Sequence, residues 1–222
     1  MLILGVDTSG KHGSIALVQC EARQCPTIEI VSLQGGTFSA QLVPQIASLL
    51  ENHGFTKNNI DGFAVVSGPG SFTGLRVGLA AIKGLAEVLG KPIAAVSLLE
   101  ALAVTRQIPG KVLCALEAGR GQIYVGEYEV LGETARCVRE ELLTQDELAG
   151  QPHLGSVITP DPGIADALRA KGRDAEEVER PRSDLIAQIG WRKIQGGQIV
   201  APEDLETNYI RRSDAEIFAK SS

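Results

Sequence analysis

The chain has 222 residues, 44% hydrophobic and 22% charged, and carries a formal net charge of −6 at neutral pH. This length suits one large or two small domains, each with a buried core. The acidic balance argues against independent tight binding of RNA or DNA, and no window is apolar for long enough to span a membrane.

The first residues, Met1-Leu2-Ile3-Leu4-Gly5-Val6-Asp7, lack a basic stretch and are too short an apolar run for a signal peptide, so a cytoplasmic protein is expected. Leu2 to Val6 reads as a strand that Asp7 ends. Thr8-Ser9-Gly10-Lys11-His12-Gly13 reads as a turn, and Ser14 to Val18 as the return strand. Cys20, Cys25, Cys114 and Cys137 contain no Cys-x-x-Cys pair and have no nearby histidine, so they are expected to be reduced and structural. Cys114 lies in an apolar run and suits a small core residue. His12, His53 and His153 are scattered and form no His-x-x-x-His pair, which predicts surface or helix-end positions rather than metal ligands.

Ser39 is a predicted cap for a helix running to about His53, with Leu42, Val43, Ile46, Leu49 and Leu50 on its apolar face. Pro44 must sit near the first turn or distort it, and Gly54 closes the helix. Phe63 to Val66 is a run of β-formers. After it come Ser67-Gly68-Pro69-Gly70-Ser71 and a helix from Thr73 to Leu89, closed by Gly90. Backbone N–H groups in such a loop and at the helix start are free to bind an anion or an acidic side chain. No Gly-Lys-Ser/Thr follows the glycines, so this is not a Walker loop. Asp7, Thr8, Gly70, Ser71 and Thr73 are the candidate nucleotide or loop site.

The helix carries only three charges between Thr73 and Leu89: Arg76, Lys83 and Glu87, spaced seven and four apart on one narrow stripe. The rest of its circumference is apolar, enough for two neighbours. Glycine inside a helix costs roughly 1 kcal/mol against alanine, so Gly78 and Gly84 suggest a packing reason. Two readings stay open: a helix sandwiched in its own domain, and one shared with a partner protein.

Ile93 to Val96 is a short strand, and a helix from about Ser97 to Thr105 follows. The pattern then repeats. Lys111 to Leu116 reads as a strand ended by Glu117, with a turn at Ala118-Gly119-Arg120-Gly121 and a return strand from Gln122 to Tyr128. Later elements are helices over 144–150, 161–171 and 183–195 and a strand over 156–159, with 173–182 as a charged connection. The expected division is an N-terminal half, 1–106, and a degenerate C-terminal half, 107–222.

Two hairpin-led α/β halves resemble the acetate kinase, sugar kinase, Hsp70 and actin (ASKHA) superfamily. There a nucleotide lies between halves and an Asp at the end of the first strand manages a metal; Asp7 holds that place, though Asp before Thr-Ser-Gly is also an ordinary turn residue. An alternative function is therefore a nucleotide-binding enzyme of this superfamily, either a small-molecule kinase or peptidase-like.

Four segments carry a closer resemblance. They are Leu4-Gly5-Val6-Asp7-Thr8-Ser9, Ser67 through Arg76, Glu117 through Tyr124, and Asn208-Tyr209-Ile210-Arg211. Together they resemble the bacterial TsaB (YeaZ) family, the accessory subunit in making the threonylcarbamoyl modification on adenosine 37 of tRNA. Where the family usually has His-Ser this chain has Phe38-Ser39, and Glu117 and Gly119 replace the family's Asp and first Arg. The catalytic sister family, TsaD, carries a metal-binding His pair that this chain lacks. The resemblance implies a non-catalytic subunit that pairs with a TsaD-type transferase, helps a TsaE-type ATPase engage, and meets tRNA only indirectly. It implies a homodimer in isolation, no metal, and no cofactor needed by the chain alone, with room for ATP at a complex interface. The implied docking surface takes Leu42, Val43, Ile46 and Leu50 from the first long helix, and Gly74, Leu75, Gly78, Leu79 and Ile82 from the second.

Overall fold

A computed structural model describes residues 1–22, 24–151, 155–208 and 210. His153, Tyr209 and Arg211 lie outside the described residues. The chain divides into two units, one of residues 1–101 with 181–207, the other of residues 102–180 with Asn208. No described helix is long and apolar enough to cross a membrane.

The first unit is built on β1 (Leu2–Asp7), β2 (His12–Gln19), β3 (Thr27–Gln34), β4 (Gly62–Gly68) and β5 (Ile93–Ser97), in the order β3-β2-β1-β4-β5. The hairpin strands pair antiparallel, and β1, β4 and β5 run parallel. Every residue of β1 and β4 is buried, as expected of strands covered on both faces. Leu2, Leu4 and Val6 point into a core shared with α1 (Phe38–Asn52) and α2 (Phe72–Leu89). The alternate face meets α6 (Ser183–Gln195): a Cβ at Gly5 would lie 2.2 Å from the Ser183 carbonyl, and one at Gly190 would lie 2.2 Å from the Ala64 Cβ. Small residues on helix and strand let the two backbones approach.

The second unit repeats the plan. Its strands are β6 (Gly110–Gly119), β7 (Gln122–Val130), β8 (Ala135–Thr144), β9 (Val157–Thr159) and β10 (Ala175–Glu177), in the order β10-β9-β6-β7-β8. Replacing each number by five less turns this order into that of the first sheet, read from its other edge. Leu113, Ala115, Ile123 and Val125 pack with Leu148 of α4 (Gln145–Ala149) and with Ile164 and Leu168 of α5 (Pro162–Ala170). Both units thus have the same hairpin-led α/β architecture.

Several expectations need correction. The segment 181–207 belongs with the first sheet, not with a C-terminal half, because α6 supplies the cover for the face holding Gly5. The first unit ends within α3 (Leu98–Thr105). Thr37, not Ser39, precedes α1 and makes no side-chain cap, while Pro44 sits on the exposed side beyond the first turn. The connection 173–182 contains β10. Cys20 and Cys25 stand opposite each other across the β2–β3 hairpin, with Cα atoms 4.0 Å apart, and are joined as a disulfide rather than reduced. Cys114 is buried and Cys137 exposed, neither in a disulfide.

A bulkier residue between α6 and the sheet has no space to occupy. Gly190→Val is expected to destabilise the protein by about 1–3 kcal/mol, read as a lower urea midpoint. An unchanged midpoint would show that α6 packs elsewhere.

Candidate functional site

The end of β1, the β4–α2 loop and the start of α2 are bound together by short polar links. Asp7 is only 3% exposed, and its Oδ1 accepts from the Ser9 amide at 2.8 Å and the Ser9 hydroxyl at 2.5 Å. This is a side-chain-closed turn, the ordinary use of Asp before Thr-Ser-Gly. The Thr8 hydroxyl donates to the Gly74 carbonyl at 2.8 Å, and the Ser71 amide donates to the Ser9 carbonyl at 2.7 Å. Ser71 caps α2, its hydroxyl accepting from the Gly74 amide at 3.4 Å.

The glycines of the loop and helix serve this packing. A Cβ at Gly70 would lie 2.5 Å from the Ser9 carbonyl oxygen, one at Gly74 2.0 Å from that of Thr8, and one at Gly78 2.3 Å from the Thr8 hydroxyl. Asp7 and Thr8 therefore hold the turn from inside. Ser71 and Thr73 instead face a cavity of about 590 Å³ whose wall also includes Lys11, Gly35, Phe38 and Ser39. Both α1 and α2 begin there, so with Lys11 the cavity favours negative charge over positive. The candidate loop residues are thus divided between turn and cavity, and the sequence marked Lys11 only as a turn residue and Ser39 only as a helix cap, neither as part of a site. Among the described residues no three His, Cys, Asp or Glu side chains stand together where they would hold a metal ion. Burial, and after it the Glu140 carboxylate, holds the Cys114 thiol far above its usual range, so it stays protonated.

The docking residues expected on the two long helices are mostly turned inward. Leu42, Ile46, Leu50, Leu75, Leu79 and Ile82 are buried in the chain's own core, and Gly74 and Gly78 face Thr8. Val43, at 52% exposed, is the member of that set on the surface. The outward side of α2 has different residues. Phe72, Thr73, Arg76, Ala80, Gly84, Glu87 and Val88 are exposed, with Val77 and Ala81 partly so. At helical spacing Arg76, Lys83 and Glu87 form one border of this side, and Val77, Ala80, Gly84 and Val88 form the strip beside it. The Arg76 guanidinium stacks 3.6 Å from the Phe72 ring centroid, and Lys83 donates to the Glu203 carbonyl at 3.1 Å. A Cβ at Gly84 would meet nothing within 4 Å among the described residues, so their packing gives no reason for a helix-weakening residue there. Val88 is 77% exposed, and on α1 the exposed Ala40, Val43, Pro44 and Ala47 add to the apolar surface.

Residues 33–185 match the profile of the family described as TsaD, tRNA N6-adenosine threonylcarbamoyltransferase. The chain is 35% identical over 130 residues to the tRNA threonylcarbamoyladenosine biosynthesis protein TsaB of Bacillus subtilis (strain 168), a match that takes in 58% of this chain and 56% of that protein. It is 28% identical over 235 residues to the protein of the same name from Escherichia coli (strain K12), covering 97% of this chain and 96% of that one. YeaZ from Pseudomonas aeruginosa shares the fold, with a TM-score of 0.76 at 22% identity over 94% of this chain and 99% of the other.

Asp7→Asn keeps the oxygen that Ser9 binds, so it is expected to cost about 1 kcal/mol or less, whereas Asp7→Ala strands two buried donors and costs about 1–3 kcal/mol. Denaturant titration of both variants separates the two; equal losses would contradict the turn role. Gly78→Ala is expected to lower stability by about 1–3 kcal/mol, because the Thr8 hydroxyl occupies the space of the new methyl. A Gly78→Ala variant as stable as the parent would mean that Gly78 does not face Thr8.

Proposed function

We propose, because the chain belongs to the TsaD family and within it to the TsaB (YeaZ) branch, that it is the non-catalytic accessory subunit that pairs with a TsaD-type transferase in forming threonylcarbamoyladenosine at position 37 of tRNA. The observation that carries the pairing is the outer side of α2. Exposed Gly84 costs helix stability without any return from the described residues, and Ala80 and Val88 flank it. A partner backbone lying close against that strip recovers the cost through contact. The reading of a helix shared with a partner is kept, with its residues changed: Val43 and Ala47 from α1, and Val77, Ala80, Gly84 and Val88 from α2. In the absence of the transferase subunit the same strip pairs with a second copy of the chain.

Catalysis belongs to the partner in this reading, since the sequence has only His12, His53 and His153 and no helical His pair. The chain acts in the cytoplasm, needs no cofactor of its own, helps a TsaE-type ATPase engage, and meets tRNA through the complex. ATP, where used, lies at an interface of the complex.

The isolated chain, given threonylcarbamoyl-adenylate and tRNA, is expected to leave the tRNA unmodified until the transferase subunit is added. Modification by the chain alone would overturn the accessory role. Two substitutions at Gly84 test the surface. Gly84→Ala is expected to stabilise the isolated chain by up to about 1 kcal/mol, having open space for its methyl. Gly84→Arg is expected to remain folded by circular dichroism, run as a monomer on size exclusion, and fail to retain the TsaD-type subunit. A folded Gly84→Arg that still dimerises and binds places the interface elsewhere.

A further inference from the structure

The Cys20–Cys25 disulfide sits where three parts of the first unit are tied together. It bridges the end of β2 to the residues just before β3. The turn between them is already closed by main-chain bonds: Glu21 and Gln24 exchange N–H to carbonyl bonds of 2.8 and 2.9 Å, and the Gln19 amide donates to the Pro26 carbonyl at 3.0 Å. Holding the turn shut therefore does not require the sulfurs. The bond instead fixes two anchors to each other. On the Cys20 side, the Met1 ammonium donates to the Cys20 carbonyl at 2.6 Å and the Cys20 amide donates to the Met1 carbonyl at 2.7 Å. On the Cys25 side, the carbonyl accepts from Gln188 Nε2 of α6 at 3.2 Å, and next along the strand the Thr27 hydroxyl donates to Asp184 at 3.3 Å. The crosslink couples the start of β1 to the helix that covers the sheet.

The two sulfurs differ in access. Cys20 is buried and Cys25 only partly so. A disulfide closing so short a loop restricts the unfolded chain little, and in a reducing compartment such bonds are usually transient rather than permanent. We propose that Cys20 and Cys25 form a reversible thiol–disulfide lock that sets how firmly the β2–β3 hairpin tip holds α6. A small-molecule thiol supplies the electrons. Its thiolate attacks the accessible Cys25 sulfur, the S–S bond breaks, and Cys20 leaves as a thiolate that takes up a proton. A second thiol then attacks the external sulfur of the mixed disulfide and releases Cys25 as its thiol. The protein pair gains two electrons and two protons, and the two small thiols become one disulfide. Once reduced, the Cys25 side keeps its main-chain bonds and its contacts to Gln188 and, through Thr27, to Asp184.

The full-length chain, equilibrated with oxidised glutathione and then with dithiothreitol, provides the test. N-ethylmaleimide with peptide mapping is expected to label Cys20 and Cys25 only after dithiothreitol, with Cys137 labelled in both states. Hydrogen exchange over residues 19–27 and 184–190 is expected to quicken several-fold on reduction while residues 2–7 stay protected. Cys25→Ser, or Cys25→Ala should the first fold poorly, is expected to exchange at the fast rate regardless of reductant. Full labelling of both cysteines in the oxidised sample overturns the lock. So does a bond that forms and breaks with no change in exchange over 184–190.

Discussion

The close approach of α2 to the β1–β2 turn is the constraint on which the rest of the first unit depends. Thr8 fills the space that side chains at positions 74 and 78 would need, through its carbonyl at one and its hydroxyl at the other. Only glycine fits at both, and the Thr8 hydroxyl returns a hydrogen bond to the Gly74 carbonyl. With 100° between successive residues, fixing Gly74 and Gly78 inward fixes the rotation of the whole helix. Leu75, Leu79 and Ile82 then turn to the core, and Ala80, Gly84 and Val88 turn to solvent. The same contact seats the glycine-rich loop, since Gly70 and Ser71 lie against Ser9.

The far face of that sheet obeys a matching rule. Gly5 on β1 and Gly190 on α6 leave room for backbone where side chains would collide. The helix that fills this face comes from residues 183–195, more than eighty positions after β5. Such a distant cover costs chain entropy on closure, but that cost grows only slowly with loop length, while the apolar faces of β1 and β4 would otherwise be wet. An ion pair of 2.9 Å between Lys193 and the largely buried Glu100 adds a second tie between α6 and the start of α3.

Legibility in the sequence followed burial. Strands buried on both faces, such as β1 and β4, show as unbroken apolar runs, and α2, α5 and α6 lie within a residue of their expected limits. The strands β3, β8 and β10 did not show. Each lies at a sheet edge, carries charged residues, and is mostly half-buried or exposed, and bulges at Leu17/Val18 and Glu127/Tyr128 break the pairing of β3 and β8 with their neighbours. Alternation is lost in such strands because only one side has a core to meet. The disulfide escaped for a similar reason: spacing alone does not say that two cysteines face each other across a hairpin.

By itself the sequence determined the duplicated α/β plan, the family, and the existence of a glycine-bearing helix with more apolar surface than one sheet covers. The plan and the helix are consequences of composition and periodicity, and the family of a resemblance carried by four short motifs, all of which are local in the chain. It did not determine which side of that helix is which. Gly74, Gly78 and Gly84 look alike along the chain. What separates them is a neighbour from far earlier in the chain: Thr8 lies against the first two, and none of the described residues lies against the third. Only the tertiary structure decided this, because the direction a helix faces is set by the contacts its closest-packed residues exclude.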